Sequence, residues 1–457
     1  MFATDDTIVA IATPPGRGGL GVVRLSGPQA ARIAAVLLEG QPALEPRRAT
    51  RARVAGEPAG GPVDEVIATF FPRPASYTGD DVVEISGHGS PVVLRGIVQG
   101  AMAAGARHAE RGEFTLRAFL NGRIDLVQAE AVADLIDAVT PLQARAAFDQ
   151  LQGTLTGTIR AIEGDLFSLA ARLEASIDFP EEGYQFVEAA SSAAELETCA
   201  GRVRALLREA RRGRVIREGC QVTILGSTNT GKSSIFNKLI GMERAIVTPI
   251  AGTTRDLLTE TIDVGGIPVD LVDSAGVREG RDEIEREGVS RALGATAVAD
   301  LVLLVLDRSR ALGAEDAALL ARTRNRARVL VVNKIDLEAA WCEETPGGGT
   351  GPVVCVSAKT GEGVSELREA IRSALVGEGA PQEPPAVTNV RHSGLLEEAR
   401  GALERAAGSA RAGGRAGSEE FVLADVREAC AALERITGER TTDDLLAEIF
   451  GRFCIGK

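Results

Sequence analysis

A glycine-rich segment that ends in lysine and serine is the clearest sign of chemistry in this sequence. Gly226–Ser233 fits the pattern G-x-x-x-x-G-K-S and directly follows an apolar stretch, Gln221–Leu225. Glycines let a backbone wrap around phosphates, and the N–H groups and the N-terminus of a following helix supply positive potential. Lys232 is suited to reach the β- and γ-phosphates, and the Ser233 hydroxyl to bind Mg²⁺. The segment therefore predicts a binding site for a nucleoside triphosphate.

Three later motifs also follow apolar stretches and narrow the choice of nucleotide. Asp273–Gly276 fits D-x-x-G, whose aspartate lies near Mg²⁺ and whose glycine N–H senses the γ-phosphate. Asn333–Asp336 and Ser357–Lys359 resemble the N-K-x-D and S-A-K signatures with which translation-factor-related GTPases bind guanine. Asp336 can accept hydrogen bonds from guanine N1–H and N2–H₂, a pair of donors that adenine lacks. The ordered motifs predict GTP as the ligand.

The residue after D-x-x-G is Val277, where Ras-like proteins carry the glutamine that orients the attacking water. Valine cannot do this, and the chain resembles the hydrophobic-substituted branch of GTPases, some of which bind K⁺ through a loop asparagine. Asn229 stands at that position, and Gly252–Asp256 resembles the switch I element. This resemblance implies K⁺ ligands at Asn229, Thr248, Ile250 and Thr253, and Mg²⁺ ligands at Ser233 and Thr254. It also implies catalytic roles for Lys232, Thr254 and Glu285, although residue type alone favours an ordinary exposed helix glutamate at 285.

The elements that must position these residues can be read from the hydrophobic pattern. Short β-like runs with Gly/Pro turns predict an α+β domain over residues 1–120, and Ala/Leu/Arg/Glu periodicity predicts helices over 121–217. Apolar runs alternating with helices predict a doubly wound parallel sheet, a Ras-like P-loop G domain, over 218–379. Helical periodicity resumes over 380–457. The two helical segments are expected to pack together, with the G domain as an insertion.

Composition limits the class of protein. The net charge of −13 over 457 residues argues against a general nucleic-acid coat, although the arginine-rich stretch 202–217 could be a local contact or, on the prior for charge runs, a solvated helix face. The absence of a long apolar run predicts no membrane span, and acidic residues near the start predict a cytoplasmic location. Only five lysines stand against 46 arginines, which suggests that a compact ammonium is needed where lysine persists.

Motifs outside the G domain identify a family. The segments are Asp6–Ala10, Ala12–Gly19, Gly87–Gly89, Arg111–Phe114, Ala118–Asn121 and the C-terminal Phe453–Lys457. Together they resemble the MnmE (TrmE) family of tRNA-modification GTPases. The resemblance implies a homodimer that acts on tRNA in a heterotetramer with an FAD-dependent, MnmG-type flavoprotein. It implies addition of an aminomethyl or carboxymethylaminomethyl group to C5 of the wobble uridine, with a one-carbon unit carried by 5-formyl- or 5,10-methylene-tetrahydrofolate.

The resemblance also assigns binding residues. The folate contacts that it implies are Arg24, Glu84, Arg123 and Lys457, and position 123 departs from the lysine frequent in the family. The contacts with GTP or GDP that it implies are Asn229, Thr230, Gly231, Lys232, Ser233, Ser234, Thr248, Thr253, Thr254, Asp273, Gly276, Asn333, Lys334, Asp336, Ser357, Ala358 and Lys359. His88, between two glycines, is expected to lie in a turn and to have no acid–base role.

One alternative remains open from the sequence. A regulatory or ribosome-assembly G protein, acting as a binding switch, would share the nucleotide motifs. It would not need the N-terminal domain or the C-terminal Cys-Ile-Gly-Lys tail, and this difference favours the tRNA-modification enzyme.

Overall fold

A computed structural model gives the structure of the chain. It describes residues 5–39, 44–54, 64–178, 189–241, 258–273, 299–341, 351–377, 386–412 and 418–457. The strands are β1 (Ile8–Ile11), β2 (Gly18–Ser26), β3 (Thr50–Val54), β4 (Asp64–Phe71), β5 (Val82–Gly89), β6 (Arg107–His108), β7 (Cys220–Leu225), β8 (Leu258–Val264), β9 (Ile267–Asp273), β10 (Leu301–Asp307), β11 (Arg328–Asn333) and β12 (Val353–Cys355). The helices are α1 (Ala30–Leu37), α2 (Pro91–Ala103), α3 (Glu113–Leu120), α4 (Leu126–Asp137), α5 (Pro141–Leu151), α6 (Thr154–Asp178), α7 (Ala189–Glu218), α8 (Lys232–Gly241), α9 (Ala314–Arg322), α10 (Val364–Val376), α11 (Val390–Arg411), α12 (Ser418–Thr437) and α13 (Asp443–Gly451).

The chain divides into two compact units, and the first consists of Met1–Ala133 with Ala431–Lys457. Its sheet has the strand order β3-β4-β5-β2-β1-β6, with antiparallel pairs except for β1 and β6. Helices α1 and α2 bury their apolar faces on this sheet, where Ile33 and Ile97 are fully buried. A second apolar cluster joins α3, α4 and α13 around Phe450. The α+β expectation for the N-terminal region is therefore confirmed.

The second unit, Asp134–Cys430, contains the predicted nucleotide-binding sheet. The strand order is β12-β11-β10-β7-β9-β8, and all neighbours are parallel except β8 and β9. Strands β7, β10 and β11 are mostly apolar and almost entirely buried because helices cover both faces. The expectation of a parallel sheet holds for five strands, whereas β8 joins antiparallel through a tight turn at Gly265 and Gly266. The sequence of β8 mixes polar and apolar residues, so it lacks the continuous apolar run that predicts a buried parallel strand.

Two helices that flank this sheet domain in sequence pack against each other. Helix α7 ends at Glu218, just before β7, and α11 begins at Val390, after α10. An Arg204–Glu404 ion pair near the middle of the two helices and an Arg411–Glu197 pair near one end show that they run antiparallel. The sheet domain is therefore an insertion between helices of one bundle, as expected. In the described part of the chain, no helix is long and apolar enough to cross a membrane.

The arginine-rich stretch in α7 is largely engaged within the helical bundle. Arg202 pairs with Asp165 at 2.6 Å, and Arg217 pairs with Asp134 at 2.8 Å. Arg214 pairs within its own helix with Glu218. These ion pairs favour the solvated-face interpretation over a nucleic-acid contact.

His88 does not lie in a turn, so that expectation is wrong. It belongs to β5, where its Nδ1 lies 2.7 Å from Asp64 Oδ1 on β4. The glycines on either side serve close strand contacts instead: a Cβ at Gly87 would lie 2.7 Å from Asp64 Oδ2, and one at Gly89 would lie 2.6 Å from Gly18 O.

Candidate functional site

The phosphate-binding segment forms the connection between β7 and α8. Gly231 has φ of +94°, and a Cβ there would lie 2.3 Å from the Asn333 Nδ2 atom, so only glycine fits. Asn229 is exposed and also takes a left-handed conformation, φ +65°, which asparagine tolerates better than most residues. Helix α8 begins at Lys232, directly after the last glycine of this segment, and the first N–H groups of a helix have no partner within the helix and suit an anion.

Lys232 is half-buried within the loop. Its Nζ donates to the carbonyl oxygens of Gly226 at 2.9 Å and Ser227 at 3.0 Å. Burial lowers the pKa of this ammonium; Asp273 and Glu315 oppose that shift and the charge of Arg310 adds to it. An ammonium with three N–H bonds can make both contacts and still donate to a phosphate oxygen.

The expected Mg²⁺ ligand Ser233 lies beside the carboxylate of the D-x-x-G motif. Ser233 Oγ is 3.0 Å from Asp273 Oδ2, and Asp273 is buried at the end of β9. A hydroxyl and a carboxylate are hard oxygen donors, which suit Mg²⁺, a metal that also keeps several waters. The described residues therefore fit this metal, with Ser233 as the protein ligand and Asp273 next to it.

The guanine-binding motifs meet at the same edge of the sheet. Asn333 Nδ2 donates to the Thr230 carbonyl at 2.8 Å, and its Oδ1 accepts from the Ala358 N–H at 3.1 Å. Asn333 thus joins the phosphate loop to the S-A-K segment. Asp336 is exposed, and its Oδ1 accepts the Ser357 hydroxyl at 2.7 Å, which orients the carboxylate. This arrangement presents a fixed acceptor where a guanine edge can bind.

Lys334 is held by Asp307, a residue outside the nucleotide-binding motifs. Its Nζ donates to Asp307 Oδ2 at 2.7 Å, and Asp307 is almost fully buried at the end of β10. Hydrogen bonds from Lys334 and Ser309 hold the pKa of Asp307 below its usual range, although burial acts in the opposite direction. An acidic residue ending a wholly apolar strand is the sequence signal that could have revealed it.

The remaining predicted nucleotide contacts fall into two groups. Ser234 and Lys359 are exposed next to the residues described above. The predicted contacts that lie outside the described residues are Thr248, Ile250, Thr253, Thr254, Gly276 and Glu285. Their roles in Mg²⁺ or K⁺ binding and in catalysis stay predictions.

The small number of lysines leads to a prediction about the ammonium groups of Lys232 and Lys334. We expect Lys232→Arg and Lys334→Arg each to lower kcat/KM for GTP about tenfold or more, because a planar guanidinium cannot replace a compact ammonium between fixed oxygen atoms. Lys238→Arg, on the same helix as Lys232, is the matched control and should leave the rate unchanged. Phosphate release measures all three. Equal behaviour of the three variants would contradict the requirement for ammonium.

A second cluster of charged groups lies in the first unit. Arg24 on β2 faces Glu84 on β5, and both its Nε and Nη2 lie within 2.9 Å of Glu84 Oε1. Lys457 lies close enough to both that burial and the charge of Arg24 lower the pKa of its ammonium, while Glu84 opposes the shift. Three of the four predicted folate contacts therefore come together, although they are far apart in sequence.

Aromatic rings and the C-terminal tail support this cluster. The Arg24 guanidinium carbon lies 5.3 Å from the centre of the Tyr77 ring and 5.7 Å from that of Phe114. The tail is anchored by pairing of Ile455 with Arg111, and Gly456 presses so closely on β1 that a Cβ would lie 2.2 Å from the Ile11 carbonyl oxygen. The glycine of the terminal motif therefore allows Lys457 to reach the cluster.

Arg123, the fourth predicted folate contact, lies on the exposed connection between α3 and α4. Its Cγ would lie 3.2 Å from a Cβ placed on Gly79. Its guanidinium makes no hydrogen bond or ion pair with any residue that the structure describes. The structure thus does not link it to Arg24, Glu84 or Lys457, and its role stays a prediction.

Two family models match the sequence. The model described as "GTP-binding protein TrmE N-terminus" matches residues 7–123, and the one described as "MnmE helical domain" matches residues 126–454. Together they cover most of the chain.

Curated relatives match over the full length. A protein from Koribacter versatilis, named tRNA modification GTPase MnmE, is 46% identical over 457 residues, which cover 99% of each chain. Relatives of the same name from Thiobacillus denitrificans and Nitrosomonas europaea are 44% and 43% identical and cover 98% and 100% of their own lengths, and 99% and 100% of this chain.

Proposed function

This chain belongs to the MnmE family of tRNA modification GTPases, and on that premise we propose that it uses GTP hydrolysis to drive modification of tRNA at C5 of the wobble uridine. The enzyme is a GTP hydrolase, with GTP as its substrate and Mg²⁺ as its metal ion. The proposed product carries an aminomethyl or carboxymethylaminomethyl group, made together with an FAD-dependent, MnmG-type partner. With tRNA as the substrate, the proposed place of action is the cytoplasm.

In the proposed hydrolysis, water attacks the γ-phosphorus, the bond to the β-phosphate oxygen breaks, and GDP and phosphate leave. Lys232 and the backbone N–H groups of the loop hold the phosphates, and Asp336 selects guanine. Mg²⁺ on Ser233 would neutralise charge on the β- and γ-phosphate oxygens. We propose Thr254 as a further Mg²⁺ ligand and Glu285 as the carboxylate that acts on the attacking water through other waters.

We propose that K⁺ assists this step. The described residue that would hold it is Asn229, whose exposed amide stands on the phosphate loop. The proposed remaining ligands are Thr248, Ile250 and Thr253. A cation there supplies positive charge between the phosphates, as an arginine finger does. Paired G domains of a homodimer would couple hydrolysis to a conformational cycle.

We propose that the cluster in the first unit binds a tetrahydrofolate derivative, which would supply the one-carbon unit. Arg24 and Lys457 present positive charge to a carboxylate of the glutamate tail, and Glu84 Oε2 accepts no hydrogen bond from the described residues, so it can accept pterin N–H groups. The donor and acceptor types therefore fit a folate. Arg123 is proposed as an additional contact from the neighbouring loop.

The observation that carries the proposed function is the juxtaposition of Arg24, Glu84 and Lys457 in a chain that also has a complete guanine-binding edge. A G protein that acts only as a switch needs the guanine site but not a second cluster assembled by its own C-terminus. This difference favours the modifying enzyme over a regulatory or ribosome-assembly G protein.

Mass spectrometry of tRNA nucleosides in a deletion strain tests the proposed function. We expect the modified wobble uridines to disappear in the deletion strain and to return with the wild-type gene, but not with a Lys232→Ala variant. Unchanged wobble nucleosides in the deletion strain would favour the switch protein.

The folate proposal gives a prediction of its own. We expect Arg24→Ala, and separately deletion of Lys457, to raise the dissociation constant for 5-formyltetrahydrofolate about tenfold, because each removes a charged hydrogen-bond donor. Arg95→Ala removes an exposed charge from α2 of the same unit and should leave binding unchanged. Calorimetry measures all three. Wild-type affinity in both site variants would exclude the cluster as the folate site.

A further inference from the structure

The connection from β10 to α9, residues 308–313, lies between the phosphate loop and the guanine-binding segment. None of the nucleotide motifs includes it. Strand β10 is the neighbour of both β7 and β11 in the sheet, so its C-terminal end must emerge between the two motifs that follow those strands. Side chains from this connection can therefore contact both halves of the nucleotide site.

Arg310 makes one contact on each side. Its Nη2 donates to Ser227 Oγ in the phosphate loop at 2.5 Å. Its Nε lies 3.8 Å from Asp307 Oδ2, the carboxylate oxygen that also accepts Lys334 Nζ at 2.7 Å. The contact with Ser227 is a hydrogen bond, and the contact with Asp307 is an ion pair beyond hydrogen-bond distance.

Ser227 receives this contact in a fixed orientation. Its buried hydroxyl donates to Asp316 Oδ1 at 2.5 Å, so its oxygen lone pair is left to accept from Arg310. Asp316 is itself buried near the start of α9, where its second oxygen accepts the Gly313 N–H at 2.9 Å. The position of Ser227 is therefore set by side chains of this connection and the following helix.

Ser227 also matters for the phosphates through its main chain. Its carbonyl oxygen accepts both Lys232 Nζ and the Thr230 hydroxyl at 3.0 Å. A shift of Ser227 would therefore move the acceptor of the phosphate-binding ammonium.

We propose that Arg310 is a positioning residue that couples the phosphate loop, through Ser227, to the guanine-binding Lys334, through Asp307. The coupling holds the two halves of the site at the spacing that one guanine nucleotide requires. Nucleotide binding therefore costs less conformational entropy. This inference rests on the proposed nucleotide site. It adds to that site a residue that contacts neither phosphate nor base.

GDP affinity of single and double variants tests the coupling. We expect Arg310→Ala to raise the dissociation constant for GDP about tenfold, the value of a charge-assisted hydrogen bond. Ser227→Ala should weaken GDP binding at least as much, because it also removes the hydroxyl that donates to Asp316. Adding Arg310→Ala to Ser227→Ala should raise the dissociation constant no further, because the contact between the two side chains is already lost. Arg322→Ala removes an exposed arginine from the same unit and should bind GDP as the wild type does.

A second readout separates positioning from a general loss of structure. Arg310 is 43% exposed, so we expect Arg310→Ala to keep the wild-type melting temperature without nucleotide. Arg310→Lys keeps the charge but not the fork, and it should recover only part of the affinity. Additive effects of the Ser227 and Arg310 changes, or wild-type affinity in Arg310→Ala, would overturn the inference alone. Failure of the wild-type protein to bind GDP would instead overturn the nucleotide site itself.

Discussion

Replacing Asp336 with asparagine is expected to lower kcat/KM for GTP about 1,000-fold and to make xanthosine triphosphate a substrate. Guanine offers N–H donors at N1 and at the exocyclic amine, which a carboxylate accepts together. Xanthine keeps the N1–H donor but carries a carbonyl at C2. The asparagine amide fits xanthine because its oxygen accepts from N1–H and its NH₂ group donates to the C2 carbonyl. The Ser357 hydroxyl donates to Asp336 Oδ1 at 2.7 Å. In the variant it can donate to the amide oxygen instead and keep the amide oriented.

Initial rates with both nucleotides measure this exchange. Asp307→Asn is the informative control, because it loosens Lys334 without changing the group that reads the base edge. In that control, kcat/KM should fall by the same factor for GTP and for inosine triphosphate. Retention of GTP activity in Asp336→Asn, with no gain for xanthosine triphosphate, would show that guanine is recognised elsewhere.

GTP hydrolysis is expected to be about 100-fold faster in K⁺ than in Na⁺ at the same ionic strength. Val277 cannot orient water, and a cation held by Asn229 would supply the charge stabilisation for which arginine fingers are known. Na⁺ is smaller and fits the same ligands less well. The rate should therefore follow the K⁺ concentration and saturate.

Asn229→Gly provides a clean control for the amide. Asn229 has φ of +65°, which glycine adopts without strain, so this change removes the side chain and keeps the backbone. We expect the variant to hydrolyse GTP slowly and at equal rates in both salts. Equal rates in the wild-type protein would remove the cation from the account.

Much of the nucleotide site follows from sequence because each motif is short and ends a strand. The structure places Lys232, Asn333 and Ser357 after strand ends at one edge of the sheet, as expected from the rule that parallel strands bring their C-terminal ends together. Their contacts with a nucleotide stay predictions. The structure adds the links among them, such as Asn333 to the Thr230 carbonyl, which no spacing rule gives.

Other features could not be read in advance because they depend on contacts between distant segments. Asp316 looks like an ordinary helix-start acid, and only the fold shows that it bonds the Ser227 hydroxyl 89 residues away in sequence. Gly87 and Gly89 suggested a turn, whereas the fold uses them for close strand contacts on either side of His88. The gathering of Arg24, Glu84 and Lys457 came from family resemblance, since nothing local predicts that the C-terminus returns to β2.

The rates of GTP and ATP cleavage by the purified chain, measured side by side in potassium buffer with Mg²⁺, test the central claim most directly. An ammonium within a glycine-rich loop and an oriented carboxylate at the neighbouring strand end predict rapid release of phosphate from GTP and almost none from ATP. A preference for ATP, or cleavage of neither nucleotide, would contradict the account.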